Sequence, residues 1–295
     1  MNRTSFSYPT SKVPGRPQRR FLVLALPALV LASLLLACKT TSEATSAASR
    51  LTTTSQQLSD YYTDLSTQVD DTVALNQMQF AMLGVPFDDA DRTRLNTTKT
   101  ELGKRAAMAK ALGALASAYS ALAGSKSGTD IGNAASDLAK ACAVAKALPG
   151  GPAIPDVVSQ AGQQLVELVR AHKLQESSEA ISRTVGAVEA LFEAEEPVYE
   201  SIHRQRITLA QSLAVMLVQK DMVDTSSILA PALKPFDLTP KLSTAQTPAE
   251  FRQYAEARIQ SSANNQNSAY QKSTEALADS LKSTRKQVEE VAKKH

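Results

Sequence analysis

Apolar positions recur at helical spacing along most of the chain. An apolar run from Phe21 to Ala37 comes first. From Leu51 the apolar side chains fall at Leu51, Leu58, Tyr62, Leu65, Val69, Val73, Phe80 and Leu83, in steps that are sums of three and four, which predicts an amphipathic helix ended by Gly84 and Pro86. Its Leu51, Leu58 and Leu65 are spaced as in a coiled-coil seam. Asp88, Asp89 and Asp91 put acids where a second helix begins, and Leu95, Leu102, Ala109, Leu112, Ala116 and Tyr119 form its stripe as far as the Gly124–Gly128 loop. A third helix is predicted from Asp130 to Leu148, closed by Pro149-Gly150-Gly151-Pro152.

Further helices are predicted from Asp156 onward. They carry Val158, Ala161, Leu165 and Leu168, then Ile181, Val185, Val188 and Phe192, then Tyr199, Ile202, Leu209, Leu213 and Met216. Pro197 predicts a kink or restart, because an interior proline removes a hydrogen bond and clashes with the preceding turn. The pattern leaves open whether His172–Ser178 is turn or helix. Between Asp224 and Thr247 the periodicity fades around Pro231, Pro235 and Pro240. Thr247-Pro248-Ala249-Glu250 then supplies an N-cap, a first-turn proline and a capping-box acid. Phe251, Tyr254, Ile259, Tyr270, Leu277, Leu281, Val288 and Val291 predict a final helix of about 45 residues, roughly 68 Å long. Its polar stretch Ser261–Ser268 is a place to bend or project.

Composition narrows the fold class to all-α, an elongated bundle with coiled-coil-like long helices. The chain has 46 Ala, 16 of them within residues 104–147, and only 5% aromatic residues, so its apolar material is small and helix-favouring. Such an Ala-rich hairpin allows close helix approach and needs larger partners for burial energy.

The N-terminal segment reads differently. Residues 1–20 hold Arg3, Lys12, Arg16, Arg19 and Arg20 and no acid, a positive n-region ahead of the apolar h-region. That run is 17 residues long, short for a spanning helix, and Pro27 interrupts it. It ends in Leu35-Leu36-Ala37-Cys38, which resembles the lipobox of bacterial lipoproteins. The resemblance implies diacylglyceryl modification of the Cys38 thiol, cleavage after Ala37, and Cys38 as the acylated first residue. Arg19-Arg20-Phe21-Leu22 resembles a twin-arginine leader less well, its Phe lying one position too close. Lys39 stands where Asp would signal inner-membrane retention under enteric-type sorting, so resemblance to that rule implies the outer membrane, on its periplasmic face.

Five divisions follow: a signal peptide over 1–37, the lipidated Cys and a flexible tether over 38–50, a helical bundle over 51–228, a Pro-containing linker over 229–247 and the C-terminal helix over 248–295. The segment removed holds five of the 32 basic residues and none of the 29 acids, leaving 27 basic against 29 acidic and a net charge of −2. The basic character of the whole chain belongs to the leader, and no nucleic-acid partner is expected. Lipidation also consumes one of two Cys, leaving Cys142 on an apolar stripe with Ile131, Ala135, Leu138 and Ala145, read as a buried thiol.

Catalytic chemistry is poorly supplied. With three His in the chain, zinc sites built from several His or Cys are nearly excluded. The best metal candidate is Glu200-Ser201-Ile202-His203, the spacing used by di-iron bundles, but the second such motif and the two further glutamates are missing. Glu193, Glu195, Glu196 and Glu200 with His203, Arg204 and Arg206 read instead as a solvated, charge-paired helix face. No nucleophile elbow, phosphate loop or dinucleotide fingerprint occurs. Expected, then, is a non-enzymatic lipid-anchored helical scaffold or interaction module, with no catalytic, cofactor or metal site. The alternative is a small-ligand-binding or sensing bundle. Partners expected are the membrane, through the lipid, and a protein or second copy through the C-terminal helix, whose basic Lys282, Arg285, Lys286, Lys293 and Lys294 suit an acidic partner or anionic headgroups, unless its apolar stripe is covered within the chain by the Leu51–Leu83 helix, the pairing the pattern favours.

Overall fold

The computed structural model describes residues 19–123, 129–153, 174–222 and 249–294. Among them lie five helices and no strand: α1 Arg19–Leu83, α2 Asp89–Ala123, α3 Thr129–Val144, α4 Leu174–Gln219 and α5 Ala249–Lys293. The chain is therefore an all-α bundle. It divides into two compact units, Met1–Ser42 and Glu43–His295. Of the first, the backbone of 19–42 is helical.

The second unit is built on heptads. In α1 the positions Ala44, Ala48, Leu51, Ser55, Leu58, Tyr62, Leu65, Val69 and Thr72 advance by alternating steps of four and three, and all are buried. α2 does the same through Leu95, Thr98, Leu102, Arg105, Ala109, Leu112, Ala116, Tyr119 and Ala123, and α5 through Thr274, Leu277, Leu281, Thr284, Val288 and Val291. Such a repeat keeps one seam facing the partner helix over many turns. α2 packs along α3 and α4 along α5. Residue pairs fix the directions. Thr54 meets Ser280 and Thr284 while Tyr61 meets Tyr270, so α5 runs antiparallel to α1. Tyr62 meets Tyr199 and Asp71 meets Arg206, so α4 runs parallel to it.

This packing corrects the tether read over residues 38–50. Glu43–Arg50 is helix, with Ala44, Ala47 and Ala48 at most 1% exposed. A search for bulky apolar residues passes over an Ala seam, yet small side chains let the neighbouring helices approach closely. α5 is unbroken across Ser261–Ser268, and α4 continues through Pro197. α3 stops at Val144, short of the predicted Leu148, although Leu148 is still buried. The predicted helix around Val158–Leu168 and the Pro-containing linker lie outside the described residues.

Helix ends follow ordinary capping chemistry. Asp88 accepts the Ala90 N–H at 3.0 Å as the N-cap of α2. α1 closes in a Schellman turn, Val85 N–H to the Phe80 carbonyl and Gly84 N–H to the Ala81 carbonyl, with Gly84 at φ +72°. α4 ends the same way with Asp221 at φ 54°, a conformation that costs a side chain more than glycine. α2 is long and apolar enough to cross a membrane, but half of that stretch is buried within the protein.

Candidate functional site

The most unusual feature is a charge inside the α2 seam. Arg105 occupies a heptad position and is wholly buried. Its Nε donates to Glu195 Oε2 at 2.6 Å and its Nη2 to Glu195 Oε1, a bidentate fork across to α4. Glu195 is itself buried, on the α4 seam Ile181, Val185, Val188, Phe192, Glu195, Tyr199. The remaining donors of Arg105 reach the Glu101 carbonyl at 3.0 Å and the Lys146 carbonyl at 2.9 Å. Glu101 accepts the Lys146 N–H at 2.8 Å and a Lys104 bond at 2.6 Å. Arg105 and Glu101 thus take both backbone groups of Lys146, which explains why α3 stops before it. Burial works against ionisation at Arg105, but the Glu195 carboxylate holds its pKa above the ordinary value. Burial likewise opposes ionisation of Glu101, and its bonds to Lys104 and the Lys146 backbone nevertheless hold it low.

The network continues into aromatic side chains. Tyr199 donates to Glu195 Oε2 at 2.6 Å, which leaves its hydroxyl oxygen to accept from the Tyr62 hydroxyl at 3.3 Å. Tyr61, Tyr62, Phe192 and Tyr199 pack with ring centroids 5.5–5.9 Å apart. Tyr61 and Tyr270 share a hydroxyl contact of 2.6 Å. Burial raises the pKa of all four tyrosines, so each stays a neutral phenol.

At the edge of this cluster lies His203, stacked on Tyr270 at 4.1 Å between centroids and 6° from parallel. Its tautomer follows from its neighbours. Gln68 Nε2 donates to Asp64 at 2.7 Å, so Gln68 Oε1 faces His203 Nδ1 at 2.9 Å and Nδ1 carries the proton. Nε2 is buried and makes no hydrogen bond of good geometry. Burial lowers the His203 pKa, Arg206 adds to this, and Asp64 and acceptors on Gln266 and Asn267 oppose it.

Two grooves flank these residues. One of about 430 Å³ runs between α1 and α5, lined by Gln57, Asp60, Tyr61, Asp64, Ser273 and Leu277. The other, about 200 Å³, lies between α4 and α5 and is lined by Glu200, His203, Arg204, Asn267, Tyr270 and Gln271.

The acid-rich stretch is therefore not the uniformly solvated face read from the sequence. Glu195 and His203 point inward, because Arg105 and Gln68 wait there as partners. Glu200 instead pairs outward with Arg204, so the structure does not join the Glu200 carboxylate to His203 as a ligand pair. No cluster of three or more His, Cys, Asp or Glu fit for a metal occurs among the described residues. Cys142 is buried, which pushes its thiol up to about 11. The backbone of Ala37 and Cys38 lies in α1, and their side chains are outside the described residues. The Arg105–Glu195 pair escaped sequence reading although its signal was present, a charged residue in phase with each of two seams. Compared with family models, curated proteins and solved structures, the chain matches none.

Proposed function

We propose that this chain is a lipid-anchored bacterial envelope protein whose helical bundle acts as a scaffold or protein-interaction module, without enzymatic activity. The observation that carries the reading is Leu35-Leu36-Ala37-Cys38 behind a positive and an apolar segment. The division of the chain at Ser42/Glu43 supports it, because cleavage after Ala37 leaves the Glu43–His295 unit whole. The lipid gives attachment to the membrane, and Lys39 favours the periplasmic face of the outer membrane. A protein partner or second copy would use the outward face of α5, since Leu277, Leu281, Val288 and Val291 are buried in the chain itself. Mass spectrometry of the mature N-terminus tests the anchor: an acylated Cys38 is expected, and an intact leader with an unmodified thiol sinks the reading. Co-purification from detergent-solubilised membranes tests the scaffold, and recovery of the chain alone, as a monomer, counts against it.

One observation favours the small-ligand alternative. His203, Tyr270 and the polar Glu200, Arg204, Asn267 and Gln271 line one groove of about 200 Å³. Ligand-observed magnetic resonance screening with wild-type and His203→Phe protein decides this, and binding that ignores the substitution removes the alternative.

A further inference from the structure

Resting on the lipid-anchor reading, we infer that the bundle stands end-on to its membrane, with the headgroup layer against the end formed by the first packed turn of α1 and the last turn of α5. The argument is one of chain length. Only residues 38–42 separate the acylation site from Glu43, where the packed unit begins, and Ala44 is already fully buried. Five residues reach about 17 Å when extended and about 8 Å as helix. In either form the acylated residue lies within about 17 Å of Glu43.

The C-terminal end of α5 is fixed to that same place. Lys294 Nζ bonds Glu43 at 2.9 Å, and Gln287 bonds Ser46 at 3.2 Å. The two contacts lie about one helical turn apart on α1 and about two turns apart at the end of α5, so the pairing is more than a single touch. Lys293 is paired with Glu289. The basic residues there are thus balanced by Glu43, Glu289 and Glu290, and the short connection, rather than net charge, sets the apposition. From Glu43 to Leu83 α1 rises about 60 Å, which carries the half-exposed Val85 and the Met78 and Leu83 side chains to the end away from the bilayer.

The test uses the full chain, processed and lipidated in a bacterial host, in vesicles of four parts phosphatidylcholine to one part phosphatidylglycerol with a headgroup-attached energy acceptor. A donor dye is placed at Lys294→Cys or at Val85→Cys in a Cys142→Ser background. Transfer from position 294 should exceed that from position 85 several-fold. A spacer of twelve Gly and Ser between Ser42 and Glu43 should bring the 294 signal down toward that of 85. Equal strong transfer from both positions means a bundle lying flat, equal weak transfer means one swinging free, and indifference to the spacer means that the connection does not set the distance. Each overturns the inference while leaving the anchor intact. An unmodified Cys38 in the mass spectrum overturns both.

Discussion

The inner part of the Glu43–His295 unit and the outer ends of α4 and α5 are made from the same helices, yet they are held by different means. Up to His203 and Tyr270, α4 and α5 belong to a continuous core that includes Phe192, Tyr199, Leu277, Leu281 and Val288 together with the seams of α1 and α2. Beyond that point Ile207, Leu213, Val218, Ala255 and Ala263 are buried but lie outside that core. What ties the outer parts together among the described residues is mostly exposed and polar: Gln211 with Gln260, Gln219 with Glu256 at 3.1 Å and Arg252 with Asp221 at 2.8 Å. A groove of about 270 Å³ opens between them beside Arg206, Ala210 and Ile259. The contrast teaches that helix length and helix packing are separate properties. Among the described residues, the core shared with α1 and α2 reaches no farther along α5 than Tyr270.

The sharpest way to break this comparison is at the ion pair of the inner part. Glu195→Ala leaves Arg105 buried with only the Glu101 carboxylate, 3.8 Å away, as counter-charge, and breaking a buried pair on one side costs about 3–5 kcal/mol. Replacing both, Arg105→Met with Glu195→Leu, should recover most of that loss. Urea unfolding of the three proteins decides it, and a double variant as unstable as the single one would mean that the Lys146 and Tyr199 contacts carry the energy.

Next come two leucine truncations. Leu112→Ala in the α2 seam should cost about 2–5 kcal/mol in global stability, as large-to-small core changes do. Leu213→Ala should move the global transition much less and instead speed amide exchange within 207–219 and 252–263. Equal global losses would erase the distinction between the two parts.

His203 sits at their junction and supplies a pH test. Its folded pKa lies below the ordinary histidine value, chiefly through burial. The unfolded chain therefore binds the proton more readily, so the contribution of neutral His203 is intact above about pH 6.5 and is lost as pH falls through the folded pKa. His203→Gln should flatten stability between pH 7 and pH 5, and an unchanged slope would assign the titration elsewhere. The smallest effect is expected at the outer ties. Arg252→Ala removes an exposed pair and should cost less than about 1 kcal/mol in thermal unfolding.

Much of this was legible along the chain. The stripes of α1, α2 and α5, the Gly84 stop and the start of α5 at Ala249 all come from local rules, since a 3.6-residue turn and the loss of backbone partners at helix ends depend only on nearby residues. The lipobox-like Leu35-Leu36-Ala37-Cys38 is local too. Two readings failed for one reason. Ala44–Ala48 looked like a tether and Glu195 like a solvated acid because residue type alone was weighed, whereas position in the seam decides what a small or charged side chain meets.

The sequence by itself determined helices, their approximate ends, their apolar faces and the candidate anchor. Tertiary structure alone decided that Arg105 has a carboxylate to pair with across the bundle, that Gln68 fixes the proton on His203, that α3 ends early because Glu101 and Arg105 take the Lys146 backbone, and that the end of α5 closes against α1 at Glu43. Each of these joins residues 41 to 251 positions apart. Local preference carries no information about such pairs, because the free energy of burying a charge or leaving a lone pair bare is fixed by what packing brings opposite it.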